Sequence, residues 1–362
     1  MTVLGRLLAE APAVVEWHRR AFYPWFAFIA QRISGAWVRT EGEVGALVLI
    51  GTAGAALLRW RWRALSGIGF ALGLLVFGFY LSWGLAYRYP GLGPRLAPWD
   101  SVSEGAPMSE RLVELTERSA RLLALASEGS VSFEGSEAIL MARINSGLRA
   151  GVARLPVAID ATPVRTVAFG PAKLSRVSFA LSRLQLSGYY LPWTGEAQIN
   201  AQMPRTLWPR VAAHEGAHQR GFARENEAMV IGLLTCLESP DPMVFYSGTL
   251  GLFAGFDREL ARVDGEERKT VWAALPRRVR EDFTRESAFW KSHEGVAGAI
   301  SEGANDAYLK AQGVRSGIGS YNETTRLLLQ ATLTPGLRLA FLLESAEPLP
   351  APREEDPNGA KR

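Results

Sequence analysis

Two uncharged apolar runs, Val44 to Leu58 and Ala64 to Tyr87, lie almost end to end and are parted only by Arg59-Trp60-Arg61-Trp62-Arg63. Runs of this length must be hidden from water somewhere, which limits the fold more than any other stretch. The second exceeds the roughly 20 residues that a helix needs to cross a bilayer. The first is shorter, but Trp60 and Trp62 extend it into the headgroup region while the arginines reach back toward water. Together they predict a transmembrane helical hairpin over 42–89. Two buried helices of a soluble protein are the alternative, and uncharged runs this long exceed what a globular core usually needs. The arginine-rich turn assigns the hairpin tip to the cytoplasm and both flanks to the outside, although Arg19, Arg20, Arg32 and Arg39 then sit on an outer flank. No small-residue cleavage site follows a short apolar region, so a cleaved signal peptide is not expected.

The remaining chain divides around that hairpin. Segment 1–41 mixes Phe22, Tyr23, Trp25, Phe26, Phe28, Ile29 and Trp37 with arginines, the composition of a helix in the membrane interface or of an amphipathic helix packed on a domain. Pro90-Gly91-Leu92-Gly93-Pro94 breaks the second apolar helix, and 90–107 reads as a linker. From 108 to 344 the pattern is that of one domain. Leu112, Leu115, Leu122, Leu123 and Leu125 recur at helical spacing over Met108 to Ser127, and Glu137 to Val152 repeats the pattern. Residues 186–200 are aromatic and turn-rich and predict strands. The expected fold is therefore mainly α with a small β-sheet, an α+β domain preceded by the transmembrane hairpin, with a disordered tail at 345–362.

Composition removes several function classes. Lys and Arg total 40 against 36 Asp and Glu, and they are dispersed, so a nucleic-acid partner is not expected. Cys236 is the sole cysteine, which excludes an internal disulfide and a multi-cysteine zinc site. Only four histidines occur, His18, His214, His218 and His293, so two at metal-ligand spacing carry information.

Those two lie in His214-Glu215-Gly216-Ala217-His218. Positions i and i+4 share a helix face, so both imidazoles can bind one Zn²⁺. Glu215 projects to a neighbouring face, where it can take a proton from a water that zinc acidifies to a pKa of about 7. Ala213, Gly216 and Ala217 keep this helix slim for burial, and Gly221 stands where a left-handed cap would end it. A second helix begins at Arg224 and brings acidic residues behind the histidines. A catalytic zinc site takes three protein ligands and leaves one position open. Glu225 and Glu227 lie two apart, hence on opposite sides, so one of them completes the set; Glu225 is favoured and Glu227 is its rival. A helix of two solvated surface histidines is the bland reading of the pentapeptide alone.

The motif stands within a longer pattern. Gly188-Tyr189-Tyr190-Leu191-Pro192-Trp193-Thr194-Gly195-Glu196-Ala197-Gln198-Ile199-Asn200 precedes it, and Gln219-Arg220-Gly221-Phe222-Ala223-Arg224-Glu225-x-Glu227-Ala228 follows. Phe245-Tyr246-Ser247-Gly248, Asn305 to Gly313 and Ser320-Tyr321 come later. In this order the stretches resemble the bacterial domain-of-unknown-function 3810 family, across most of the chain. The resemblance implies an integral protein of the bacterial inner membrane with an extracytoplasmic, zincin-like metallopeptidase domain and no established substrate. The chain departs from the family in offering only Met1 to Glu10 for a further amino-terminal span, and in carrying Met229 where Asn is usual. Met229 stands four after Glu225, a position zincins of the Glu-x-x-Ala-Asp type keep polar, and this keeps Glu227 in contention.

Further roles are expectations. Tyr189 to Asn200 can form an edge strand above the metal helix on which a peptide adds as a strand, with Tyr190, Thr194, Gly195, Glu196 and Asn200 as substrate-binding candidates; a strand inside the sheet is equally compatible. Asp306, with Asn305, can orient a ligand histidine, and Tyr308 can donate to an oxyanion, unless Asn305 or Asp306 merely caps a helix. His293 is a second candidate oxyanion donor. Two functions follow: a zinc-dependent hydrolase of peptide or protein substrates at a lipid membrane, with Glu215 and Tyr308 catalytic, or a non-catalytic membrane receptor or scaffold built on the same fold.

Overall fold

The structure, a computed structural model, describes residues 11–35, 43, 45, 52, 62–103, 107–129, 131–159, 170–312 and 321–346. An amino-terminal helix is continuous from α1 (Pro12–Trp17) through a π-helical turn (His18–Phe22) into α2 (Tyr23–Gly35). After it come α3 (Trp62–Ser82), two 3₁₀ turns (Gly84–Arg88 and Gly93–Arg95) and the short α4 (Trp99–Ser103). The long pair α5 (Met108–Glu128) and α6 (Glu137–Arg154) leads to β1 (Lys173–Leu174), α7 (Ser178–Arg183), β2 (Gly188–Leu191) and β3 (Glu196–Ile199). Helices α8 (Trp208–Gln219), α9 (Glu225–Glu238), α10 (Pro242–Val263), α11 (Gly265–Ala274), α12 (Arg277–Ser292), α13 (Val296–Ala311), α14 (Tyr321–Thr332) and α15 (Arg338–Ser345) complete the chain.

Local sequence accounts for these elements. Leu112, Leu115, Leu122 and Leu123 form the buried stripe of α5, and Leu140, Ile144 and Leu148 that of α6. Asp241 caps α10 by accepting from the N–H groups of Met243 and Val244, with Pro242 at the first helical position. Helix α9 is buried along almost its whole length, between one apolar cluster that joins α8 to α5, α6 and α10 and another that joins it to α14 and α15. The sheet runs β1-β3-β2, with β1 parallel and β2 antiparallel to β3. Strands β2 and β3 are a hairpin closed by Gly195, whose φ of +68° is the left-handed conformation the turn requires.

The chain is thus mainly helical with a small sheet, but the predicted transmembrane hairpin is overturned. Among the described residues no helix is long and apolar enough to cross a membrane. The second apolar run is not one uninterrupted helix: α3 stops at Ser82, Trp83 leaves helical dihedrals (φ −150°, ψ −48°) and a 3₁₀ turn follows. Trp83, Leu85, Ala86 and Tyr87 are buried inside the domain, so the end of the run belongs to a protein core. Its helical part keeps Phe70, Leu72, Leu74, Leu75 and Phe77 exposed. The first run lies, apart from Gly45 and Thr52, outside the described residues, as do Arg59 and Arg61 of its turn and most of the tail. The expected linker is likewise not a spacer, because Leu92 and Leu96 are buried in the same core as α9.

Candidate metal centre

Helix α8 carries the first two ligand candidates. It can pack closely because Ala212, Ala213 and Ala217 are fully buried, and because Gly232 of α9 lets the two backbones approach: a Cβ at Gly232 would lie 2.9 Å from the His214 nitrogen. The helix ends in a two-bond Schellman motif, with Gly221 (φ +95°) donating to His218 O at 2.9 Å and Phe222 donating to Ala217 O at 3.2 Å. That turn reverses the chain into α9 and brings Glu225, its first residue, back over the histidines.

His214, His218 and Glu225 converge, with one ligand atom from each lying within 4.8 Å of the others. Glu225 Oε2 stands 3.1 Å from His214 Nε2 and 3.7 Å from His218 Nε2, and the two imidazoles meet edge to face with centroids 4.7 Å apart. Tetrahedral zinc with bonds of about 2.0–2.1 Å places its ligand atoms about 3.3 Å apart, so these separations suit a single ion. The His218 ring is fixed from behind: Nδ1–H donates to Phe222 O at 2.7 Å, which leaves Nε2 as the nitrogen facing the group. His214 Nδ1, also buried, has no hydrogen-bond partner. The donor set, two imidazoles and a carboxylate with one ring held in the ligating tautomer, fits a zinc ion.

Charges in the site reinforce one another. Burial draws the His218 pKa down, but the Glu225 carboxylate outweighs it and lifts the value to about 9. Burial works the other way on Glu225, and the two imidazoles hold it well below the usual carboxylate range. Glu215 is 4% exposed; burial raises its carboxyl to about 7 against the pull of both histidines. Its carboxylate lies against the backbone of β2, since a Cβ at Gly188 would come within 2.8 Å of Oε1. Only glycine leaves room there for the strand to pass over α8.

Glu227 does not join the centre. Its Oε1 accepts from Leu92 N–H at 3.0 Å and from Arg224 at 2.9 Å, tying α9 to the segment after α3. The Tyr308 ring lies against Phe79 and Tyr87, and burial together with the Glu225 charge pushes its hydroxyl up to about 12. Asp306 pairs with Lys310 one turn on, at 2.6 Å, and Asn305 is exposed. His293 ends α12 with its ring on Phe289.

Strand β2 is one of the two edge strands among the described residues and packs on α8, but four of the five substrate-binding candidates are committed to internal structure. Glu196 is 1% exposed and paired with Lys173 at 2.7 Å, and its other oxygen accepts from Thr194 at 2.8 Å. Asn200 is fully buried and bonded to Ser182 and Leu186, while the Gly195 carbonyl accepts from Gln219 Nε2. The alternation of a strand explains this: Glu196 and Gln198 share the face away from α8, and only Tyr190 shares the face toward it with Ala197 and Ile199. Tyr190 lies near His218, with ring centroids 6.4 Å apart.

Several contributors come from segments read as membrane or interface. Trp83 and Tyr87 pack with Tyr190 and Tyr308 in one aromatic cluster beside the histidines. Tyr23 of α2 donates to the carbonyls of His218 and Gln219, both at 3.2 Å, and so satisfies groups that a helix end leaves open. His18 Nε2–H donates to Leu81 O at 2.6 Å while Nδ1 accepts from Tyr89 at 2.7 Å, fastening the amino-terminal helix to the end of α3. The available signal was the change from plain aliphatics to polar-tipped aromatics at Tyr80, Trp83, Tyr87 and Tyr89.

No curated protein and no solved structure matches the chain. The profile of the family described as "Protein of unknown function (DUF3810)" matches residues 18–329, which include every residue of the centre, and the chain belongs to that family.

Proposed function

We propose that the protein is a zinc-dependent hydrolase, a metallopeptidase, in which His214, His218 and Glu225 hold the ion. The convergence of those three side chains beside a second, buried acid, Glu215, carries the reading. When bound, zinc would act as a Lewis acid that polarises the scissile carbonyl and acidifies water. Glu215 serves as general base: its pKa near 7 suits proton transfer at neutral pH, and the same carboxyl then returns the proton to the leaving amine. Tyr308, with a hydroxyl that stays protonated, donates to the developing oxyanion. An extended peptide suits a terminal strand such as β2, because main-chain hydrogen bonding needs no particular side chain from the strand.

The test pairs metal content with turnover. Wild-type protein is expected to hold one zinc and cleave members of a quenched peptide library. Glu215→Gln should keep the zinc and lose cleavage by about 10²–10⁴-fold, the usual contribution of a general base. Zinc binding with no difference between the two would favour the receptor or scaffold, which needs no acid at Glu215; a wild type that binds no metal removes both the ion and the hydrolase.

We also propose that the helix α1–α2 meets a lipid surface. Trp17, Trp25, Phe28, Ile29 and Ile33 are exposed along it, and Arg20 and Arg32 stand among them.

A further inference from the structure

We propose that Trp83 is a positioning residue of the metal centre, holding the His218 imidazole so that Nε2 stays aimed at the ion; this rests on the reading of His214, His218 and Glu225 as zinc ligands. The hydrogen bond from Nδ1 to Phe222 O fixes one point of the ring, and the His214 ring packs on it edge to face with centroids 4.7 Å apart. A further aromatic contact from outside α8 completes the hold on the ring. Trp83 supplies it: its ring stands at 84° to the imidazole with centroids 5.4 Å apart, the edge-to-face arrangement that aromatic pairs prefer.

Trp83 is itself held. It is 4% exposed, with Tyr190 at 4.7 Å and Tyr87 at 6.2 Å between centroids. Its backbone has left the helical region at the end of α3, which turns the indole away from the helix and into the centre. Gly84 makes that turn possible, since a Cβ there would lie 2.6 Å from the Tyr80 ring. An indole that only filled space would contribute to stability alone, whereas one that sets a ligand ring also changes the affinity and geometry of the bound ion.

The experiment is a buffered-zinc titration of the full chain, with the cobalt-substituted absorption spectrum as a second readout. Trp83→Phe, which keeps an aromatic edge, should bind zinc nearly as the wild type does. Trp83→Leu should bind it about 10–100-fold more weakly, the usual effect of losing an outer-shell partner, and should show altered cobalt d–d bands. Phe253→Leu, a fully buried change on α10, controls for stability and should leave both readouts unchanged. If Trp83→Leu does not fold, Trp83→Met replaces it as an apolar filler without a ring. Wild-type affinity and cobalt spectrum in the folded Leu or Met variant would overturn the role of Trp83 while leaving the zinc centre intact. A wild type that takes up no zinc would overturn both.

Discussion

Two glutamates two positions apart have opposite surroundings. Glu225 faces two imidazoles, and Glu227 accepts from a backbone N–H and an arginine. Glu225→Gln should therefore abolish tight zinc binding, with a loss exceeding the roughly 10–100-fold of an outer-shell change. Glu227→Gln should leave zinc affinity intact and lower stability by about 1–3 kcal/mol, because Leu92 N–H and Arg224 lose a charged acceptor. Zinc titration beside denaturant unfolding separates the two, and the reverse pattern would exchange their roles. At this scale the sequence was partly legible. The i, i+4 histidines and the opposed glutamates follow from helical period alone, but which glutamate faces the histidines depends on how α9 is rotated against α8, and that is set by distant packing. Thr194, Glu196 and Asn200 have partners that local sequence hides for a related reason: polar residues in an aromatic stretch look available, yet a partner such as Lys173, 23 positions away, is invisible there.

At the scale of elements, the site depends on how closely α8 and α9 can lie. Gly232 sits where α9 crosses the backbone of Ala213 and His214. Gly232→Ala should gain helix propensity yet push the helices apart, for a net loss of about 1–3 kcal/mol typical of overpacking. It should also weaken zinc binding, since Glu225 moves with α9; thermal melts with and without zinc would register both, and unchanged affinity would mean that the turn at Gly221, and not the helix contact, sets the position of Glu225. Helices with a clear apolar stripe, α5 and α6, and the presence of strand within 186–200 were readable in advance, whereas the hairpin turn at Gly195 was not. Strand β1 was not, because two residues present no alternation to detect. The end of α3 was hidden for a different reason: an uncharged run has the same composition whether lipid or protein covers it, and only the polar tips of Trp83, Tyr87 and Tyr89 hint at a protein neighbour.

Over the whole molecule, the amino-terminal helix has an inner side that braces the centre through Tyr23 and His18 and an outer side lined with exposed Trp17, Trp25 and Ile33. If the outer side meets lipid, the full chain should co-sediment with anionic vesicles more than with zwitterionic ones, and the paired changes Trp25→Ser and Ile33→Ser should reduce that fraction. Equal recovery of wild type and variant would exclude this surface. The hydrogen bonds that Tyr23 makes to the last carbonyls of α8 join positions 195 and 196 apart in the chain. Closing so wide a loop carries an entropic cost that the contact must offset. Tyr23 therefore couples the placement of His214, His218 and Glu225 to a segment remote in sequence, and the arrangement is braced only where the two segments have met.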